Sequence, residues 1–166
     1  MAEPRVLIVG AGLAGLAAAV GLARAGFASL VVDQARAPGG AIHRQPLPGV
    51  AAHGLPAQRR RWQNLRAEVT AEGDRIEILC NHRFAGIDAD GVALLTGERS
   101  RFIRPAAVIL ATGATERVVP VPGWTLPGVT TVGAIQTQLK TTGEPPAGRV
   151  LLAGSGPLLC AAAAEL

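Results

Sequence analysis

A glycine motif near the start of the chain constrains its fold more than any other feature. The motif Gly-Ala-Gly-Leu-Ala-Gly occupies residues 10–15, directly after the apolar run Val6–Val9, and an alanine- and leucine-rich stretch covers residues 13–25. A continuous apolar run is typical of a strand buried on both faces of a parallel sheet, and alanine and leucine favour a helix. We therefore predict a βαβ unit whose helix ends near Gly26 and whose second strand covers residues 30–32.

The spacing of this motif gives each position a task in binding a dinucleotide. Gly10 permits a tight turn, Gly12 leaves room for a pyrophosphate against the backbone, and Gly15 lets the helix approach the strand closely. The first turn of the helix, at Leu13 and Ala14, would direct N–H groups and a positive dipole end towards the phosphates. The structural alternative is a glycine-rich turn that binds nothing.

An acidic residue completes the predicted dinucleotide site. Asp33 ends the second strand, 23 residues after Gly10, and Gln34 follows it. A carboxylate at this point can accept a hydrogen bond from a ribose hydroxyl. It would repel the extra phosphate of NADP, but by itself it does not separate NAD from FAD.

Further along the chain, the pattern changes from helix to short strands. The loop that follows Gln34 is rich in proline and glycine, residues 57–72 predict an amphipathic helix, and residues 75–79 predict a third strand. Short runs separated by turn residues then fit an antiparallel meander, at residues 82–88, 92–96 and 100–104. A continuous buried strand returns over residues 106–111.

A segment rich in proline and glycine predicts a domain boundary. Residues 120–128 contain three prolines and two glycines. We predict a first domain over residues 1–118, a linker over 119–131 and the incomplete start of a second nucleotide-binding-like domain over 132–166. The predicted elements of that second part are a helix at 132–141, a strand at 150–153 and the opening of one more helix.

Two further motifs carry a resemblance to a known family. Pro38-Gly39-Gly40 lies in the loop after Asp33, and a strand-turn sequence ends in Ala111-Thr112-Gly113. In both motifs the chain resembles the two-dinucleotide-binding-domain flavoproteins, the family that contains thioredoxin reductase and glutathione reductase. The resemblance implies an α/β fold in which a Rossmann-like FAD-binding domain combines a parallel sheet with an antiparallel meander. The start of a second Rossmann-like domain would follow it.

The same resemblance implies which residues would hold FAD. Gly39 and Gly40 would run beside its pyrophosphate and flavin, residues 111–113 would close the site from beneath, and the backbone of Phe84 would meet the adenine edge. The full set of predicted FAD-binding residues is Gly10, Gly12, Leu13, Ala14, Gly15, Asp33, Gln34, Gly39, Gly40, Ala41, Phe84, Ala111, Thr112 and Gly113. No catalytic residue is marked by the sequence.

Four longer stretches are similar to one branch of that family, at residues 38–45, 111–117, 122–129 and 152–159. The branch comprises the FAD-containing subunits of multi-subunit amine and amino-acid dehydrogenases, and it includes octopine and nopaline oxidases and hydrogen cyanide synthase. The resemblance implies an oxidoreductase subunit that oxidises a C–N bond of an amine, amino acid or opine. Electrons would pass to a partner subunit of a hetero-oligomeric dehydrogenase or to a respiratory acceptor. The chain departs from this branch at Ala41, where glutamine is expected, and at His43, where an aromatic residue is expected.

Two alternative functions remain at this point. An NAD(P)H-dependent flavoprotein of the thioredoxin reductase type would need a redox CxxC motif, but Cys80 and Cys160 lie far apart. It would also need a complete second glycine motif, and Leu159 stands at the third glycine position after Gly154-Ser155-Gly156. The other alternative is an inactive, truncated FAD-binding fragment.

Composition limits the remaining classes of function. No stretch interleaves basic and aromatic residues, so we expect no nucleic-acid partner. The apolar start contains Arg24, which argues against a transmembrane segment, and residues 1–5 are a poor beginning for a signal peptide. We expect a cytoplasmic protein, peripheral to the inner membrane only through its partners. His43, His53 and His82 show no metal-ligand spacing, so no metal site is predicted.

Overall fold

The computed structural model describes residues 5–52 and 56–166 of the chain. Residues 1–4, which belong to the predicted poor start for a signal peptide, therefore lie outside the described residues. His53 lies outside them as well. The described residues form two compact units: one contains residues 5–43 and 56–113, and the other contains residues 44–52 and 114–166. The domain limits drawn from the sequence at residues 118 and 131 stay a prediction.

The first unit contains two sheets. Its elements are β1 (Val6–Val9), α1 (Leu13–Arg24), β2 (Ser29–Val32), α2 (Pro56–Ala71), β3 (Ile76–Leu79), β4 (Arg83–Ile87), β5 (Ala93–Thr96), β6 (Arg101–Ile103) and β7 (Ala107–Leu110). One sheet is parallel with the order β3-β2-β1-β7, and the other is an antiparallel meander with the order β4-β5-β6. The prediction of an α/β fold with a parallel sheet and a meander is confirmed, and the predicted ends of these elements differ from the observed ends by at most one residue.

The two faces of the parallel sheet are covered by different layers. On one face α1 and α2 pack over Ile8 and Val31, with Leu16 and Trp62 contributed by the helices. On the other face the meander contributes Ala93 and Leu95, which pack against strand residues of β1 and β2, namely Leu7, Val9, Leu30 and Val32. Because both faces are covered, these central strands can be apolar along their whole length, as the sequence pattern predicted.

Helix α1 ends where the sequence places a glycine. The N–H of Phe27 donates to the carbonyl oxygen of Leu22 at 2.9 Å, and the N–H of Gly26 donates to that of Ala23 at 3.0 Å. Gly26 adopts a φ of 87°, so the helix closes in a Schellman motif. This ending turns the chain back towards β2.

The second unit contains α3 (Val132–Thr142) and α4 (Pro157–Glu165). The first turn of α3 is capped twice, because Thr131 Oγ1 accepts from the N–H of Ala134 at 3.2 Å and Glu116 Oε2 accepts from the N–H of Gly133 at 2.8 Å. These bonds satisfy N–H groups that a helix leaves unpaired at its start. Within the same unit, the N–H of Leu47 donates to the carbonyl oxygen of Thr141 at 2.9 Å.

The strand predicted at residues 150–153 is not formed, and that prediction is wrong. The segment has no secondary structure, and Leu151 is 91% exposed. A strand is stabilised by ladder hydrogen bonds to a neighbour, and no strand among the described residues pairs with this segment. Apolar sequence alone was therefore not sufficient to make a strand here.

Candidate functional site

The candidate site lies where the strand order of the parallel sheet reverses. The chain leaves β1 towards β2 on one side, whereas β7 lies on the other side of β1. In open α/β sheets, ligands bind at the carboxyl ends of the strands at such a point. Gly10 follows β1 and Ala111 follows β7, and the N–H of Ala111 donates to the carbonyl oxygen of Val9 at 2.8 Å.

Gly10 and the segment after β7 are in direct contact. Gly10 has a φ of 109°, and a Cβ at this position would overlap the carbonyl oxygen of Ala111 and lie 3.4 Å from Cα of Thr112. A side chain at Gly10 is therefore excluded by both conformation and space. The contact brings together two predicted motifs that are far apart in the sequence.

Gly15 serves the packing of α1. A Cβ at Gly15 would overlap the carbonyl oxygen of Gly10 and lie 3.3 Å from Cγ2 of Ile8. The absence of a side chain lets the helix start directly against the strand and turn. This geometry agrees with the packing role expected for the third glycine of the motif.

Gly12 leaves the start of α1 open. It is the N-cap residue, no side chain caps the helix there, and a Cβ on Gly12 would meet only Cα of Gly40, at 3.8 Å. Leu13 is half-buried and Ala14 is exposed at the first turn. The N–H groups of a first helical turn have no partner within the helix, so this end can receive an anionic group.

The second glycine pair packs against the phosphate loop. The N–H of Gly39 donates to the carbonyl oxygen of Ala11 at 2.8 Å, and a Cβ at Gly40 would lie 3.1 Å from Cα of Gly12. The loop after β2 and the loop after β1 therefore approach at their backbones. Ala41 follows at an exposed position.

Asp33 links the phosphate loop to the end of β2. Its Oδ2 accepts from the N–H of Ala11 at 2.6 Å, and its Oδ1 accepts from the N–H of Ala35 at 2.7 Å. The sequence predicted an acceptor for a ribose and missed this backbone role, which only the folded loop reveals. A carboxylate oxygen has two lone pairs, so each oxygen can still accept a hydrogen bond from a ligand hydroxyl.

A cavity of about 230 Å³ collects residues from several predicted motifs. Predicted site residues on its wall are Gly10, Asp33, Gln34, Phe84 and Thr112. The remaining wall is formed by Val9, Val32, His82 and Arg83. Gly113 is exposed and is not among the residues that line this cavity.

A second cavity of about 360 Å³ shares Gln34, His82 and Arg83 with the first. It is also lined by Asn81, Thr96 and Gly97. The sequence identified Phe84 but missed the two residues that precede it as side chains of the site. The available signal was their position directly before Phe84, where the chain passes from the β3–β4 connection into β4.

Cys80 lies close to this site without the properties of a reactive thiol. Burial is the first cause that raises the pKa of its thiol, and the negative charge of Asp33 raises it further. A raised pKa reduces the fraction of thiolate, which is the nucleophilic form. Cys80 and Cys160 are both free, and Cys160 is exposed.

His43 replaces the aromatic residue expected at its position with another flat ring. Its imidazole stacks on Trp62, with ring centroids 5.3 Å apart and planes 9° apart. The guanidinium of Arg66 lies 6.0 Å from the centre of the Trp62 ring. The stack joins the loop after Gly40 to α2, and His43 lines neither of the two cavities.

The described ranges contain neither a membrane-spanning helix nor a cluster of metal-binding side chains. No helix among residues 5–52 and 56–166 is long and apolar enough to cross a membrane. In the same part of the chain, no group of three or more His, Cys, Asp or Glu side chains could hold a metal ion.

Comparison with known proteins identifies relatives for nearly the whole chain. It is 42% identical over 165 residues to the hydrogen cyanide synthase subunit HcnB of Pseudomonas aeruginosa, covering 98% of this chain and 36% of that protein. It is 36% identical over 170 residues to an opine oxidase subunit of Agrobacterium tumefaciens, covering 97% of this chain and 34% of that protein. The chain thus spans about a third of the length of these curated relatives.

A solved structure supports the fold. L-proline dehydrogenase from P.horikoshii matches with a TM-score of 0.67 and 20% identity, over 82% of this chain and 28% of that one. At this identity the likeness concerns the fold alone. The pyridine nucleotide-disulphide oxidoreductase family matches residues 4–166. The chain therefore belongs to the pyridine nucleotide-disulphide oxidoreductase family.

Proposed function

We propose that this chain carries the FAD site of an oxidoreductase subunit that oxidises a C–N bond of an amine, amino acid or opine. The single observation that best supports the cofactor site is the cavity of about 230 Å³ beside β1 and β7, where the strand order of the parallel sheet reverses. The cavity is lined by Gly10, Asp33, Gln34, Phe84 and Thr112, although these residues come from four separate parts of the chain.

The residues present fit the adenosine diphosphate half of the cofactor. Gly10 and Gly15 have no space for a side chain, and the start of α1 at Gly12 lacks a capping side chain. The pyrophosphate would lie at this helix start, where free N–H groups and the helix dipole favour negative charge. The ribose would lie at Asp33, which lines the same cavity.

We assign the flavin half of the cofactor to the loop that contains Gly39 and Gly40. Gly39 and Gly40 contact the phosphate loop by their backbones and would extend the binding surface away from the adenosine end. When bound, FAD would supply the redox chemistry by accepting two electrons from the substrate. The residues of this chain would bind and orient the cofactor, and we assign no proton transfer to any of them.

The substrate class is proposed from the two curated relatives. One is named for hydrogen cyanide synthesis and the other for opine oxidation. Cyanide contains a carbon–nitrogen bond, and opines are N-substituted amino acids, so both names imply chemistry at such a bond. We propose the same class of bond for the substrate of this protein.

The same comparison supports the proposal that this protein has partner subunits. Both relatives are named as subunits, and we propose that this protein also works in a hetero-oligomeric dehydrogenase. A partner subunit or a respiratory acceptor would receive the electrons. We propose a cytoplasmic location, with attachment to the inner membrane only through partners.

The alternative, direct reduction by NAD(P)H, is less well supported. In the second unit, Cδ1 of Leu159 lies 3.5 Å from the position of a Cβ on Gly154. The Leu159 side chain therefore packs over the glycine turn where a second dinucleotide would need open backbone. This contact and the absence of a CxxC motif from the sequence favour a substrate-reduced flavin.

The test of the proposed function is an absorption spectrum followed by anaerobic reduction. The purified protein is incubated with FAD, freed of unbound cofactor and examined for the flavin spectrum. Opines, amino acids and amines are then added under anaerobic conditions, and bleaching of the flavin absorbance is recorded. A retained flavin that an opine or amino acid bleaches supports the proposal, whereas a protein that retains no flavin contradicts it.

A further inference from the structure

A stack of two rings anchors the loop that contains Gly39 and Gly40. The imidazole of His43 lies on the indole of Trp62, with ring centroids 5.3 Å apart and planes 9° apart. Trp62 belongs to α2, is 7% exposed and packs in the same apolar cluster as Ile8. His43 is therefore attached to the core of the first unit, although its own backbone is part of a loop.

The backbone of the loop connects this stack to the phosphate loop. The N–H of His43 donates to the carbonyl oxygen of Gly39 at 3.1 Å, and the N–H of Gly39 donates to the carbonyl oxygen of Ala11 at 2.8 Å. A Cβ on Gly40 would lie 3.1 Å from Cα of Gly12. A continuous series of contacts therefore leads from the start of α1 to the stacked rings.

The loop needs such an anchor because of its two adjacent glycines. Gly39 and Gly40 have positive φ values of 133° and 64°. Glycine loses more conformational freedom than any other residue when its backbone is fixed, so ordering this pair costs free energy. A contact that orders the loop before a ligand arrives reduces the part of that cost which binding must supply, and the difference appears as affinity.

We propose that His43 is a positioning residue. Through its stack on Trp62 it holds Gly39 and Gly40 beside Gly12, and it so raises the affinity of the site for the diphosphate of FAD. The inference rests on the proposed function, which puts the diphosphate at the start of α1. His43 lines neither cavity, so its effect is transmitted by the loop. The flat ring of the side chain matters for this role, and its basicity does not.

Two measurements test this role on the wild type and on His43→Ala, which removes the ring. Native-state hydrogen exchange followed by NMR, without cofactor, reports how firmly the N–H of Gly39 is bonded to Ala11. Fluorescence titration gives the affinity for FAD, and calorimetry gives the affinity for ADP, which carries a diphosphate without the flavin. We expect His43→Ala to speed exchange at Gly39 and to weaken the binding of both ligands, each by about three- to tenfold, the size of one aromatic stacking contact.

Three further variants separate stacking from a general structural effect. His43→Phe keeps a flat ring and should return both the exchange rate and the affinities to near their wild-type values. Arg66→Ala is the matched control, because its guanidinium lies 6.0 Å from the centre of the Trp62 ring but belongs to α2 itself. It should change neither measurement. His43→Ser also removes the ring, and it serves as the test if His43→Ala fails to fold.

The outcomes distinguish this inference from the proposed function. If the wild type binds FAD and ADP but His43→Ala, or His43→Ser in its place, keeps the wild-type affinities or the wild-type exchange rate at Gly39, the role of His43 is wrong and the cofactor site stands. Failure of His43→Phe to restore the affinities also contradicts the role, because a flat ring would then not be what positions the loop. If the wild type binds neither FAD nor ADP, the proposed function fails, and the role of His43 fails with it.

Discussion

At the residue scale, glycines in one short motif have different reasons to lack a side chain. Positions 10 and 15 must be glycine, because a Cβ at Gly10 or at Gly15 would overlap a backbone carbonyl oxygen. A Cβ on Gly12 would have only one neighbour, 3.8 Å away. Gly12 is therefore the position where a substitution can test ligand binding while leaving the fold intact.

We expect Gly12→Val to abolish retention of FAD, because the valine side chain would fill the place of the pyrophosphate at the start of α1. Gly21→Val is the matched control on the same helix, since a Cβ on Gly21 meets nothing within 4 Å. Fluorescence titration with FAD measures both variants. Unchanged affinity in Gly12→Val would show that this loop does not hold the cofactor.

At the element scale, the stability of the first unit depends on how closely α1 approaches β1. Leu16 and Ala19 of the helix are buried against Ile8 and Val31 of the strands. The approach is possible because Gly15 lies against the carbonyl of Gly10. Outside this contact, a glycine in α1 only lowers the helix propensity.

Two glycine-to-alanine substitutions in α1 should therefore change the free energy of unfolding in opposite directions. Gly15→Ala should destabilise the chain by about 1–3 kcal/mol, because the new methyl group forces the helix away from the strand. Gly21→Ala should stabilise it by about 0.5–1 kcal/mol through helix propensity. Urea unfolding followed by circular dichroism measures both. Equal effects on the free energy of unfolding would refute the assigned packing role of Gly15.

A second prediction at this scale concerns the segment at residues 150–153. No strand of the described residues pairs with it, whereas β1 is hydrogen-bonded to β2 and β7 on its two sides. Native-state hydrogen exchange should give rapid exchange for residues 150–153 and slow exchange for Val6–Val9. Comparable protection of the two segments in a monomeric sample would show that the segment has found a partner strand.

At the scale of the whole molecule, the question is which compound delivers electrons to the flavin. In the first unit, Asp33 lines the cavity that we propose for FAD, and its carboxylate accepts a hydrogen bond from the N–H of Ala11. The second unit has Leu159 packed over the glycine turn at Gly154. We propose that this side chain hinders a nicotinamide cofactor from binding there.

We therefore expect NADH and NADPH to reduce flavin-loaded protein slowly or not at all, and an opine or amino acid to reduce it. Anaerobic stopped-flow spectroscopy follows the bleaching of the flavin absorbance with each compound. Leu159→Gly is an informative companion, because it removes the side chain that blocks the turn. Rapid bleaching of the unmodified protein by NADPH would favour a reductase of the thioredoxin reductase type instead.

The sequence alone determined those features of this protein that depend on neighbouring residues. The apolar run at Val6–Val9, the helix after Gly12 and the turn at Gly26 follow from local propensity and from the steric freedom of glycine. The parallel pairing of β1 with β2 also followed, since a short apolar strand on each side of a helix predicts it. The ends of these elements were predicted to within one residue.

Only the tertiary structure decided the contacts between distant parts of the chain. It tied Asp33 to the N–H of Ala11, placed Gly40 against Gly12 and laid the His82 ring over Gly97. It also left residues 150–153 without a strand neighbour among the described residues, although their apolar pattern is that of a strand. Hydrogen-bond partners and van der Waals neighbours that are far apart in sequence are set by packing, and a local pattern carries no information about them.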